Sequence, residues 1–244
     1  MGVLALTTAY AYVGARDFSG DINQWLLGAE ATTPECTSFR SAGWREYKMG
    51  VKTSAFAMSG HYQSATADAV DPHVFDNLGV ASQVITTGPE ETEATPAFFH
   101  RGMQADVNLF GAHGEINPFS VTAAGDDGPT GIVRGQLAVK MTTVTTTGAK
   151  GTALNLGLIG AGQYLYATLH LLGTAGSSIT AVVETDEDNT FASATTRITF
   201  GPLTAVGGNW GTRVAGAIAS DDWQRLNITA ITGTWVIACA IGIQ

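Results

Sequence analysis

Apolar and polar positions along this chain alternate with a period of two nearly everywhere a period can be read. In "TSAFAMSGHYQ", Phe56, Met58 and Gly60 fall on one face and Ala55, Ala57 and Ser59 on the other, the pattern of a half-buried strand. "FFHRGMQADVNLFG" predicts another strand, and "IVRGQLAVKM" a third, with Gly135 read as a bulge. Later in the chain, "QYLYATLHLL", "SITAVVET", "TTRITFG", "GTRVAGAIA", "WQRLNITAI" and "TWVIACAIGI" recur between Gly, Asn and Asp clusters. That rhythm predicts an antiparallel β-sandwich. One helix interrupts the pattern, in "DAVDPHVFDNLG". Asp71 is placed to cap it, Pro72 fits its first turn, Val74, Phe75 and Leu78 give an apolar face, and Gly79 ends it.

The segments between are turn chemistry. "TGPEETEATP", residues 87–96, is acidic, bracketed by prolines and without periodicity, which predicts a mobile loop in which Glu90, Glu91 and Glu93 repel one another. "AHGEINPF" and "AAGDDGPTG" read as turns. "TTVTTTGAKGT", residues 142–152, is rich in Thr and Gly with almost no large side chain, and marks a boundary between a domain over 1–145 and a second over 146–244. The fold class expected is all-β with one short helix, the second domain being an Ig-like or jelly-roll-like β-sandwich.

Composition narrows the function classes. The 244 residues are 45% hydrophobic and only 14% charged, with 30 glycines, which suggests that some apolar surface is covered by copies of the chain itself. A net charge of −9 argues against an outer surface that grips phosphate. The two cysteines, Cys36 and Cys239, exclude a disulfide framework and a thiolate metal cluster, and are expected unpaired. No run approaches the roughly 20 apolar residues of a membrane helix, so membrane insertion is not expected. The opening "MGVLALTTAYAYVG" lacks a basic n-region and is interrupted by Thr7 and Thr8, which fits a strand or arm better than a signal peptide. Leu6 stands where a myristoylation motif needs Ser or Thr, so Gly2 is not expected to carry a lipid.

Candidate chemistry is sparse. "LNLGLIGAGQYLY" resembles a dinucleotide-binding turn, but Leu165 stands at the third glycine position and the following residues alternate as a strand, so no cofactor is expected. The five histidines have no metal-binding spacing. His113 with Glu115 is the nearest approach to an acid/base pair and reads as a local turn group, while His170 reads as a packed strand histidine. "MSGHY" lacks a nucleophile's strand-to-helix context. Asp186, Glu187 and Asp188 in "TDEDNTF" offer hard oxygens for calcium, yet fit a solvated hairpin tip better, and Asp221 and Asp222 read as turn formers. No catalytic or metal residue is therefore assigned. The one conspicuous segment is "SAGWREYKMGVK", which sets Trp44 and Tyr47 among Arg45, Glu46 and Lys48 between Gly43 and Gly50.

That segment belongs to a longer pattern. "DFSGDINQWLLGAEATTPECTSFRSAGWREYKMGVKTSAFAMSGHYQ" resembles the major tail, or tail tube, proteins of long non-contractile-tailed bacteriophages. The order of parts carries the resemblance: D-x-S-G-x-x-N at 17–23, a hydrophobic strand around 25–27, T-S-F at 37–39, G-W-R-E at 43–46, G-V-K at 50–52 and S-G-H-Y at 59–62. "DPHVFDNLG", "GEINPFSV" and "GIVRGQL" extend it over residues 10 to 140. "GQYLYATLHLLGTAG", "ETDEDNTFASATTRITF" and "QRLNITA" are similar to a C-terminal β domain appended to such proteins.

The resemblance implies a structural virion protein whose first domain, a tail-tube-type β-sandwich that forms a barrel with its neighbours, assembles into rings. Those rings, usually hexamers, stack into a conduit for DNA ejection. It implies that the loop over 30–51 reaches a neighbouring subunit or ring, with Trp44, Arg45, Glu46, Tyr47 and Lys48 as contact residues. It also implies that Asp106, Glu115, Asp126 and Asp127 are candidates for an acidic lumen that keeps double-stranded DNA moving without specific binding. Its partners would be the chain itself, tape measure, tail terminator and tail-tip proteins. Its places would be the virion tail and, during assembly, the host cytoplasm. A second possibility is a tail-tip module that recognises host glycan through Trp210, Trp223 or Trp235. A third is a trimer of duplicated tube domains forming a pseudo-sixfold ring.

Overall fold

The computed structural model describes residues 7–41, 43–64, 69–126 and 130–244. The strands run β1 (Tyr10–Val13), β2 (Arg16–Asp17), β3 (Ile22–Ala31) and β4 (Lys52–His61), followed by helix α1 (Val70–Phe75). Next come β5 (Gln83–Gly88), β6 (Pro96–Leu109), β7 (Pro118–Gly125) and β8 (Val133–Val144). The remainder holds β9 (Gly148–Asn155), β10 (Tyr164–Leu172), β11 (Ser178–Asp186), β12 (Thr195–Leu203), β13 (Gly207–Trp210), β14 (Val214–Ala215), β15 (Trp223–Thr232) and β16 (Trp235–Ile243). The fold is all-β with one short helix, as expected, and every strand pairing is antiparallel.

Strand alternation produces stacked layers with three cores between them. On β16, Trp235, Ile237, Cys239 and Ile241 enter a core shared with Leu169, Val183 and Leu226, where the sheet β12-β11-β15-β9 packs. The intervening Ala238 and Ala240 enter a second core with Phe99, Tyr166, Tyr10 and Tyr12. On β1, the alternate residues Ala11 and Val13 enter a third core with Phe56, Met58, Val74, Phe119 and Val121. Strands buried on both faces read as unbroken apolar runs, and "TWVIACAIGI" and "AYAYV" do so. β8 ties the layers together, because it pairs with β6 on one side and β16 on the other. β6 is long enough to lie between β5 and β8 at its start and beside β7 at its end.

Several expectations are corrected. Ala69, not Asp71, is the N-cap of α1, and it makes no side-chain cap; the Asp71 carboxylate instead accepts a hydrogen bond from the Tyr62 hydroxyl at 2.8 Å. Because the helix ends at Phe75, its buried stripe is the i, i+4 pair Val70 and Val74, and Phe75 and Leu78 face solvent. Gly79, at φ +78°, belongs to the turn that follows. The acidic segment over 87–96 is anchored. Glu91 accepts from the Tyr12 hydroxyl at 2.8 Å, Glu93 accepts from the Thr152 hydroxyl at 2.6 Å, and the Ala94 amide donates to the Leu137 carbonyl at 2.8 Å. Each carboxylate has its own partner, which is how the clustered charge is tolerated.

Gly135 is a site of close approach, not a bulge. A Cβ there would lie 2.1 Å from the Ile241 carbonyl oxygen, and the register shifts of β8 against β16 fall between Ile237 and Ala240. "GTRVAGAIA" contributes only the two-residue β14, and the Thr/Gly-rich stretch over 142–152 carries the chain from β8 in the larger sheet to β9 in the four-stranded sheet. Asp186 accepts from the backbone amides of Glu187 (2.7 Å) and Ser193 (2.9 Å), and Asp188 from Thr190 (2.8 Å), the hydrogen bonding of a hairpin tip. Trp235 is fully buried, which removes it as a sugar platform. Cys239 is buried and Cys36 exposed, both free.

Two histidines lie inside. His170 donates from Nδ1 to the Gly14 carbonyl (2.9 Å) and accepts at Nε2 from the Thr86 hydroxyl (2.8 Å), so it is a packed strand histidine as expected. His100 is buried beside Phe56 with no hydrogen-bond partner among the described residues. Burial lowers each from the ordinary 6.5 to about 4. Asp221 is also lowered: burial would raise it, but hydrogen bonds from Thr185, Ser220 and Arg197 prevail and bring it to about 2.

Stability is expected to fall as pH drops from about 6.5 toward 4, because the unfolded chain takes up protons at both histidines before the folded chain does. The loss should be on the order of 3 kcal/mol for each histidine. The Asp221 contribution disappears only below the ordinary carboxylate range. Urea unfolding at about pH 7 and about pH 4.5 checks this; equal stabilities would show that neither histidine is held neutral in the fold.

Candidate functional site

β3 and β4 form an antiparallel ladder from Ile22↔Gly60 to Ala31↔Lys52. Beyond it the chain runs out as an arm over 32–51 that continues the pairing in looser form. The Gly50 amide donates to the Thr32 carbonyl at 2.6 Å, Lys48 to Pro34 at 3.1 Å, and Cys36 to Glu46 at 2.8 Å, with an isolated pairing of Glu35 and Tyr47. The tip is a tight turn in which the Trp44 amide donates to the Ser41 carbonyl at 2.9 Å. Gly43 takes a left-handed φ of +84° there. Gly50 serves close approach instead of hinging, since a Cβ would come 2.2 Å from Thr32 Oγ1.

The arm has no core of its own. Trp44 is 80% exposed, and Phe39, Tyr47, Met49 and Val51 are also exposed, as are Arg45, Glu46 and Lys48. Trp44 therefore does not fold back onto its own layers. Large aromatic and aliphatic side chains uncovered on one projection are the usual mark of a surface that a partner covers.

A second feature lies behind the arm. The four strands β3-β4-β7-β6 align in register, so residues across them share a face. One face carries Trp25, Met58, Val121 and Val107 in one row and Leu27, Phe56, Ala123 and Gln104 in another, all turned to the third core. The opposite face carries Leu26, Ala57, Thr122 and Asp106 in one row, Gly28, Ala55, Ala124 and Met103 in the next, and Gln24, Ser59, Ser120 and Asn108 in a third. Glu30 opposite Thr53 extends it. The rows named on this solvent face are mostly small and neutral, with Leu26 and Met103 exposed among them, and the charges they carry are the acidic Glu30 and Asp106.

Both edges of this sheet are open among the described residues. β3 pairs only with β4, and no strand lies against β6 on the side away from β7 from Ala105 to Leu109. Unpaired edges are templates for further strands.

The acidic residues picked out from the sequence do not cluster. Asp106 stands on the solvent face, where its carboxylate accepts from the Asn108 amide at 2.7 Å. Glu115 is exposed in the loop between β6 and β7, at one end of the sheet. Asp126 is exposed just past β7 at the other end, where its carboxylate accepts from the Ser82 amide. Asp127 lies outside the described residues. Glu30 was missed; the signal for it was the period-two alternation of β3, which puts Glu30 in line with Leu26 and Gly28. No cluster of His, Cys, Asp and Glu fit to hold a metal ion occurs among the described residues.

No protein-family model matches the chain, and no curated protein does. Solved structures do. A chain of the virion of a native gene transfer agent particle shares 17% identity over 43% of this chain and 80% of its own, with a TM-score of 0.35. The SPP1 Dit protein, described as a paradigm of the hub adsorption apparatus in Gram-positive infecting phages, shares 9% identity over 96% of this chain and 99% of its own, with a TM-score of 0.37. A chain of the phage p2 baseplate in its activated conformation shares 10% identity over 95% and 98%, with a TM-score of 0.35.

Because the arm packs against nothing in its own chain, Trp44→Ala and Tyr47→Ala are expected to leave unfolding free energy within about 0.5 kcal/mol of the parent, as exposed substitutions do. Urea titration of the dilute protein measures this. A loss of several kcal/mol would mean that the arm folds back in solution.

Proposed function

We propose that this chain is a structural subunit of a phage tail, of the tail-tube type, that assembles with itself into stacked rings around a channel for DNA. The observation that carries this is the four-stranded sheet with two open edges, a buried face and a solvent face of small neutral and acidic residues. β6 runs antiparallel to β3 within the sheet, so β3 of the next copy set beside the open edge of β6 continues an all-antiparallel sheet. Repeated around an axis, that contact removes both open edges of this sheet, and a sixfold ring fits the resemblance in sequence.

The solvent face would then line the channel. Small side chains leave a smooth wall, and Glu30 and Asp106 repel phosphate, so duplex DNA passes without being held. The layer order supports an outward position for the sandwich over 146–244. Three cores separate the solvent face from the sheet β12-β11-β15-β9, so in such a tube that sheet would lie on the exterior. In this role the chain performs no catalysis. Its further partners would be tape measure, tail terminator and tail-tip proteins.

Negative-stain electron microscopy across a concentration series tests the assembly. Hollow rings or tubes are expected, and a uniformly monomeric particle at high concentration would overturn the proposal. The lining is tested separately with Glu30→Lys and Asp106→Lys together. Tubes of this variant should co-sediment with duplex DNA at low salt while parent tubes do not, and identical behaviour would place the face elsewhere.

A further inference from the structure

The fold leaves a second apolar patch uncovered, at the opposite edge of the sheet from the arm. Phe75, at the end of α1, and Leu78 and Val80 in the turn after it are 62%, 49% and 43% exposed. The turn is fixed against β6, where the Gly79 amide donates to the Gln104 carbonyl at 2.9 Å and the Gln104 side chain donates to the Val74 carbonyl. The patch therefore flanks the open edge of β6. It also sits toward the same end of the sheet as the arm, because the turn feeds into β5 where Gln83 pairs with Gly102, and β3 and β4 leave for the arm at that end.

Charge distinguishes the two surfaces. Of the 12 Lys and Arg in a chain of net charge −9, Arg40, Arg45 and Lys48 lie together in the arm. The sequence from 53 to 100 contains no Lys or Arg at all. Beside the patch, Asp76 and Asp126 are exposed. One surface carries Trp44 and Tyr47 with three cations against the two carboxylates Glu35 and Glu46, the other carries Phe75, Leu78 and Val80 beside exposed carboxylates, and each is uncovered in the single chain.

We infer that the patch of Phe75, Leu78 and Val80 is the receptor for the arm of the neighbouring copy in the same ring. This rests on the self-assembly proposed above and names the contact that orients it. When β3 of one copy lies beside β6 of the next, the arm that continues β3 arrives at the patch. Trp44 and Tyr47 cover the apolar residues, and Arg40, Arg45 and Lys48 meet Asp76 and Asp126. The contact is heterologous, joining one surface to a different one, and so closes only as a ring.

The full-length chain tests this with a photocrosslinking benzoylphenylalanine in place of Trp44, mixed with isotope-labelled parent and assembled. Crosslinks are expected between position 44 and residues 70–82 of the other copy. Crosslinks to the loop over 110–117, or to the sandwich, would overturn the inference while leaving self-assembly standing.

Complementation gives an independent readout. A donor variant (Trp44→Ser with Tyr47→Ser) and a receptor variant (Phe75→Ser with Leu78→Ser) change only exposed residues, and far-UV circular dichroism verifies their folding. Each should need at least about tenfold more protein to assemble, as loss of interface anchors does. Mixed in equal amounts, they should form 1:1 pairs and stop, since each pair holds one intact junction. A receptor variant that assembles like the parent overturns the inference alone. A parent chain that never assembles overturns both it and the reading it rests on.

Discussion

Burial of the central strands on both faces is the constraint from which the architecture follows. β1, β10 and β16 have no solvent side, so successive residues must enter different cores, and the layers to left and right are fixed together. Polar groups caught between the layers need partners, and the His170, Thr86 and Thr168 side chains supply them for one another and for Gly14. Within the sheet, the close approach of β16 to β8 makes glycine necessary at 135, where the Ile241 carbonyl occupies the space of a Cβ. Only at the outermost layer does this demand relax. There β3, β4, β7 and the end of β6 bury one face and release the other, where Gly28, Ala55, Ala57, Ser59, Ser120 and Ala124 are among the residues released.

Strands whose apolar run or alternation is strong were legible from the chain alone: β4, β6, β10, β11, β15 and β16 were all anticipated. β9 and β13 were not. "GAKGTALN" buries only Leu154 and "GGNW" is four residues long with two glycines, too short to show a period, so both are held by pairing with neighbours distant in sequence. The acidic loop over 87–96 looked unstructured because its partners, Tyr12, Leu137 and Thr152, lie elsewhere in the chain. For the candidate site, the arm was visible as glycines around an aromatic and charged stretch. The solvent face was not, since a row such as Leu26, Ala57, Thr122 and Asp106 exists only once four strands are in register.

In the proposed assembly, arm and sheet face would take separate tasks. An edge strand offers a continuous row of backbone groups but little choice of register, because small side chains slide past one another. Bulky anchors at a fixed distance along the same hairpin supply the register that the edge lacks. Separating the two tasks would leave few bulky side chains on the face, as the proposed channel wall requires.

The arm is braced along its length by the Gly50–Thr32, Lys48–Pro34 and Cys36–Glu46 hydrogen bonds, and Gly50 lets its two sides come close. It is a lever and not a tether. A few degrees of added twist at the root, in the β3–β4 ladder, swing the tip through a displacement that grows with distance from the root. Tilt between adjoining copies is thereby written into the twist of a single hairpin, and the pitch of any long assembly would respond to substitutions at its base far more than to substitutions at its tip.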